Sequence, residues 1–191
     1  MKRQGRAALC AGSVILTGAV LAGCGSLGDG GTRTDINMQQ AAEHADAMLD
    51  GTLNAFVPEL QWAHDTTTSG SCTVTRRRAV TTVISEQRRG SFLDVIERFW
   101  KKSGYEITGV NQDKEMPAVF ARTPDGFELS VEVGYKGQAF LDINTPCVEK
   151  SPVAESTSQP DGPAYAPGAI PTPHVRSDFW SAGSPAPGAS S

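Results

Sequence analysis

Between positions 35 and 150 the apolar residues fall into two helical stripes and a series of alternating runs. Met38, Ala41, Ala42, Ala45, Met48, Leu49, Leu53 and Phe56 recur close to every 3.6 residues, which predicts a first helix capped by Asp35 or Asn37 and stopped by Pro58. Gln39, Glu43, Asp46 and Asp50 lie on its opposite, polar face, so the pattern predicts a surface helix with one buried stripe. Leu60, Trp62 and His64 alternate as in a short strand. Thr66–Ser71 is turn material, and the Thr- and Val-rich Cys72–Ser85 reads as a long strand pairing back on the first. A second helix is predicted from a loosened capping box at Ser91 and Asp94, with the stripe Phe92, Val95, Ile96, Phe99, Trp100 and Ser103. Lys101 and Lys102 complement the dipole at its end, and Gly104 is placed for a left-handed cap.

The remainder of this region is strand-like. Tyr105–Thr108 alternates, Ala118–Arg122 is short and apolar, and Thr123-Pro124-Asp125-Gly126 is a strong turn. Phe127, Leu129, Val131, Val133 and Tyr135 point one way, and Glu128, Ser130 and Glu132 the other. After a turn at Lys136-Gly137, Ala139, Leu141 and Ile143 alternate against Phe140, Asp142 and Asn144. The order predicts an α+β fold: a single twisted antiparallel sheet of five to six strands with two helices on one face.

Composition changes near residue 150. Pro, Ser, Ala and Gly make up 27 of the 41 residues from Ser151 to Ser191, too little apolar bulk to offset the entropy of ordering, so residues 151–191 read as a disordered, partly polyproline tail. The adjacent aromatics Phe179 and Trp180 interrupt it. They read either as an accident of sequence or as a short anchor for this domain or a partner.

The N-terminus has Lys2, Arg3 and Arg6 before an apolar stretch from about Ala7 to Leu21 that ends in small residues, the pattern of a secretory signal peptide. The stretch is shorter than the ~20 residues of a spanning helix. Leu21-Ala22-Gly23-Cys24 resembles the lipobox of bacterial lipoprotein signals. The resemblance implies cleavage before Cys24, a diacylglyceryl group on its thiol, and residence at the outer face of the cytoplasmic membrane. The expected organisation is a signal peptide over 1–23, a flexible Gly-rich tether over 24–34, an α+β domain over 35–150 and the tail. Of 17 basic residues the signal removes three, leaving 14 against 21 acidic ones and a formal charge of −7, which argues against a nucleic-acid partner. With Cys10 lost and Cys24 alkylated, Cys72 and Cys147 remain and are expected to form a disulfide. A metal site is the rival reading, but His44, His64 and His174 lack a second ligand at metal spacing.

No cofactor and no catalytic set is expected. A G-x-S-x-G nucleophile motif is absent, and no Gly-rich loop follows a strand. Glu128, Glu132 and Asp142, joined by Glu106, share the solvent face of the predicted sheet, where Arg76, Arg78 and Arg122 are expected to pair with them. Arg76, Arg77, Arg78, Arg88 and Arg89 form a basic concentration suited to lipid phosphates or an anionic wall polymer, weighed against a solvated polar face.

From about Met38 to Cys147 the chain resembles small uncharacterised secreted lipoproteins of high-GC Gram-positive actinobacteria. The residues carrying the likeness are the lipobox, the helix exit Phe99-Trp100-Lys101-Lys102-Ser103-Gly104-Tyr105, the turn Thr123–Phe127, and Thr145-Pro146-Cys147-Val148. The resemblance brings no catalytic residues. The expected function is a lipid-anchored, non-enzymatic binding or scaffolding module of the cell envelope, its partner an envelope protein or anionic wall polymer. An envelope hydrolase and a carrier of an apolar ligand are the alternatives.

Overall fold

The computed structural model describes residues 35–162, 165–166 and 169–183, with the Tyr135 side chain outside the described set. The signal peptide, the tether and Cys24 lie outside the described residues. Helix α1 spans Met38–Leu53. Asn37 begins it with a full capping box: its side chain accepts from the Gln40 N–H at 3.0 Å, and its own N–H donates to the Gln40 side chain at 3.0 Å. The predicted stripe is buried from Met38 through Leu53 apart from the partly buried Met48, and Phe56, just past the helix, is buried with it.

Strands β1 (Trp62–His64), β2 (Thr68–Ser69) and β3 (Val74–Val80) come next. Helix α2 (Glu86–Lys102) is followed by β4 (Glu106–Asn111), β5 (Ala118–Arg122), β6 (Glu128–Val133) and β7 (Ala139–Asn144). All seven strands join one antiparallel sheet in the order β1-β3-β7-β6-β5-β4, with β2 also paired to β3. The architecture is α+β, as the pattern predicts, with a two-residue strand added inside the expected turn.

Two boundaries differ from expectation, for one reason. The long strand stops at Val80 instead of Ser85, and α2 starts at Glu86, ahead of Ser91. Thr81 and Thr82 turn their N–H groups to Gln61 O, Val83 N–H donates to Val175 O, and Ser85 N–H donates to Trp180 O at 2.9 Å. Ser85 is thereby held extended, and its carbonyl accepts from Arg88 and Arg89 in the first turn of the helix. The partners that set this boundary are far away in sequence, where local propensity carries no signal.

The core lies between the helices and one face of the sheet. Leu129, Val131 and Val133 on β6, Ala139, Leu141 and Ile143 on β7, and Val119 and Ala121 on β5 meet Leu49 and Leu53 of α1 and Phe92, Ile96 and Trp100 of α2. The Trp100 indole N–H donates to Thr52 Oγ1 at 3.0 Å, tying the helices together through a buried pair. Gly137 closes the β6–β7 connection at φ 75°, and a Cβ there would meet Ile84 O at 2.2 Å, so both backbone conformation and space require glycine.

Cys72 and Cys147 are joined by a disulfide, as expected. The loop between them spans 75 positions, so the cross-link is worth about 4 kcal/mol in the chain-entropy model. Alkylation of the folded protein without reductant should modify neither Cys72 nor Cys147. Two alkylated cysteines by mass measurement would show that the bridge does not form.

The expectation of a disordered tail from residue 151 is corrected over its described residues. Trp180 is 1 % exposed, set edge-on to Phe56 at 5.5 Å and to Phe92 at 6.2 Å, with its indole N–H donating to Pro58 O at 2.7 Å. Ser181 Oγ donates to Val83 O at 2.7 Å. Upstream, Asp161 O accepts from Trp62 N–H, so the tail meets the otherwise open backbone of edge strand β1. The segment contributes one large aromatic side chain and many backbone acceptors, and these outweigh its low apolar content.

Candidate binding face

The five arginines singled out in the sequence do not form one patch. Arg76 and Arg78 share the parity of Val74 and Val80 and therefore face the helices, being 2 % and 0 % exposed. The expectation that they pair with carboxylates on the solvent face is corrected: their partners are Asp46 and Asp50, one turn apart on α1. Asp46, expected on that helix's polar face, is buried.

This cluster is largely enclosed, with only the Asp50 side chain substantially exposed, at 39 %. Arg76 Nε lies 3.2 Å from Asp46 Oδ2, Arg76 Nη1 donates to Thr67 Oγ1 at 2.7 Å, and Arg76 Nη2 donates to Ala154 O at 2.7 Å. Arg78 pairs closely with Asp50 and donates to Asp46 O at 3.3 Å, with the Trp62 ring 4.1 Å from its guanidinium carbon. Ser158 Oγ donates to Asp50 Oδ2 at 2.8 Å, and Ser158 O sits 2.9 Å from His64 Nε2. Burial pulls the Arg78 pKa below its ordinary value, against the upward pull of Asp50 and Asp46. Two carboxylates balance two guanidiniums, and the tail covers them. The arrangement clamps α1, β3 and the tail together and offers no free charge to a ligand.

The other three arginines are separated. Arg88 stacks on Phe179, its guanidinium carbon 4.1 Å from the ring, and Nε donates to Phe179 O at 3.1 Å. Arg89 donates to Lys114 O and Glu115 O in the β4–β5 connection. Arg77, of opposite parity to its neighbours, is on the far side of the sheet, bound to Asp142 at 2.6 and 3.1 Å.

That far side is the part of the sheet the helices do not cover. Register arranges it in three rows. One crosses Glu106, Arg122, Glu128, Asn144 and Thr75. The next crosses Gly109, Phe120, Ser130, Asp142 and Arg77, and the third Asn111, Ala118, Glu132, Phe140 and Ala79. Glu106, Glu128, Glu132 and Asp142 do share this face, as the alternation predicts. Arg122 pairs with Glu128 at 2.6 Å, and Thr75 Oγ1 donates to Asn144 Oδ1 at 2.6 Å. Phe120 is 36 % exposed, and the Arg77 guanidinium carbon lies 5.3 Å from the Phe140 ring centroid. Ser130, with its short side chain, and Gly109, with none, lie among these taller groups, leaving a shallow depression of about 360 Å³ flanked by Phe120, Arg122, Glu128 and Asn144. Phe120 escaped the sequence reading because it sits in the unbroken apolar run Ala118–Ala121, where alternation is invisible. Only the pairing register reveals that it points outward.

The remaining groups stand apart from this face. His44 lies 6.2 Å from the Phe127 ring centroid, His64 packs edge-on to Trp62 at 5.2 Å, and His174 Nδ1 is 3.1 Å from Tyr165 Oη. Burial, aided by Asp125, pushes the Tyr105 phenol above its ordinary value. Among the described residues no group of three or more His, Cys, Asp or Glu could hold a metal ion, and no helix is long and apolar enough to cross a membrane.

No family model and no curated protein matches the chain. A solved structure of a DUF4853 family protein from Actinomyces odontolyticus ATCC 17982 is similar at a TM-score of 0.37 and 8 % identity, covering 73 % of this chain and 78 % of that one. A glyoxylase/bleomycin resistance protein/dioxygenase domain from Frankia sp. EAN1pec is similar at a TM-score of 0.22 and 17 % identity, covering 44 % of this chain and 87 % of that one.

Proposed function

We propose that this chain is an extracytoplasmic lipoprotein, anchored through Cys24, whose domain is a non-enzymatic binding or scaffolding module of the cell envelope. The observation that carries the reading is the uncovered sheet face. One side of the sheet is sealed by two helices and the tail, while the other presents half-exposed Phe120 beside a depression bordered by charges that already have partners. Such a surface suits adhesion. Hydrolysis needs a convergent acid and base in reach of one bond, and the histidines of this domain stand apart from the face. The lipobox supplies the address, and two acyl chains are what stable anchoring requires.

Two experiments test it. Cys24→Ala should abolish acyl labelling and move the protein from the membrane pellet to the soluble fraction, and a labelled, pelleting mutant would sink the anchor. Wild-type protein should co-sediment with isolated cell-wall material, with Phe120→Ala weakening retention about tenfold. Release of soluble wall fragments during that incubation would favour the hydrolase reading instead.

A further inference from the structure

We infer that the open sheet face takes a neutral, polyhydroxylated chain, a glycan, laid across β5, β6 and β7. The inference rests on the binding-module reading and specifies its ligand class. Charge is the first argument. Arg77 is bound by Asp142 and Arg122 by Glu128, so neither guanidinium on the face is left to attract a polyanion. The further carboxylates on the face, Glu106 and Glu132, would repel one.

Shape and chemistry agree. A macromolecular protein interface is built around a contiguous apolar centre, whereas here Phe120 and Phe140 are divided by Ser130 and Asp142. Strand spacing and rise put the two rings on the order of 12 Å apart, far enough for more than one sugar unit. Sugar rings present C–H faces, which stack on aromatic rings, and hydroxyl edges, which both donate and accept. The depression offers this pairing: the Phe120 ring beside Ser130, Asn144 and the Arg122–Glu128 pair. Both members of that pair are more than half exposed, at 55 % and 57 %, so, while still paired and neutral together, it leaves N–H groups and carboxylate oxygens open to a ligand's hydroxyls. Gly109 supplies the floor at the sheet edge, where a Cβ would already contact Phe120.

Titration calorimetry of the full chain against the N-acetylglucosamine tetramer and mannotetraose, with inorganic polyphosphate as the anionic comparison, tests the proposal. At least one tetrasaccharide should bind with a Kd of about 1 mM or tighter. Phe120→Ala should weaken it about tenfold, and Ser130→Trp, which fills the depression, should abolish it with the melting temperature unchanged. If Ser130→Trp perturbs the fold, the exposed double change Arg122→Ala with Glu128→Ala serves in its place and should weaken binding by a similar factor. Failure of both tetrasaccharides, with wall co-sedimentation still lost on Phe120→Ala, overturns the glycan assignment and leaves the binding face standing. Preferential binding of polyphosphate overturns it as well. Loss of both wall co-sedimentation and sugar binding in the wild type removes the underlying reading.

Discussion

Trp180→Ala should cost about 3–5 kcal/mol of folding free energy, the range for removing a fully buried large aromatic. A domain of this size has roughly 5–15 kcal/mol in total, so the melting temperature should fall on the order of 10 °C. The expectation follows from the placement of the indole against Phe56 and Phe92 and from its hydrogen bond to Pro58 O. Stopping the chain after Lys150 should do at least as much damage. It also removes the carbonyl that receives Arg76, the hydroxyl bound to Asp50 and the acceptor of Ser85 N–H at the start of α2. Phe179→Ala is the control: Phe179 is 37 % exposed, and its loss should cost about 1 kcal/mol or less. Urea unfolding of the three variants decides the matter. A change below about 1 kcal/mol for Trp180→Ala would mean the tail is an appendage after all.

Asp46→Ala should be destabilising by a similar ~3–5 kcal/mol, because it leaves the buried Arg76 guanidinium without a carboxylate and Arg78 with one instead of two. Asp46 faces both Arg76 and Arg78, and the carboxylate that remains, Asp50, sits against Arg78. Replacing the whole set is expected to behave differently. Arg76→Met and Arg78→Met combined with Asp46→Leu and Asp50→Leu remove charge on both sides, and such exchanges are commonly neutral or stabilising by about 1–4 kcal/mol. Denaturant midpoints of the single and quadruple variants separate the two effects. A harmless Asp46→Ala would show that the cluster carries no net load.

The sheet and the two helices were legible because amphipathic period and strand alternation report directly on which side of an element is buried. Leu129, Val131, Val133, Leu141 and Ile143 are inward, as their spacing requires. The arginine cluster was equally present in the spacing, since Arg76 and Arg78 stand at the same parity as Val74 and Val80. Residue type overruled position there: charged side chains were placed in solvent, although two aspartates one helical turn apart were available to pair with them. The tail was illegible for another reason. Composition reports the apolar area a segment brings with it, whereas this segment is held largely by what its backbone accepts from residues 78 to 91 positions away. No local window contains both members of such a bond. The open face lay between these cases, its acidic members predicted and its aromatic centre at Phe120 hidden within an apolar run.

The residues on either side of the main folding unit meet as neighbours. Asn37 and Glu149 form a parallel bridge, with Met38 N–H donating to Glu149 O at 2.9 Å and Glu149 N–H to Ile36 O at 3.3 Å, two residues along from Cys147 of the disulfide. In a chain held from its N-terminal side, tension arriving at Ile36 is therefore shared at once with the segment leaving β7, and through the covalent link with the segment entering β3. Rupture of the bridge would expose α1, β1 and β2 to the pull, whereas β3 to β7 lie inside the loop closed by the disulfide. The disulfide thus acts as a mechanical stop, passing tension from Cys72 to Cys147 without drawing out the five strands between them.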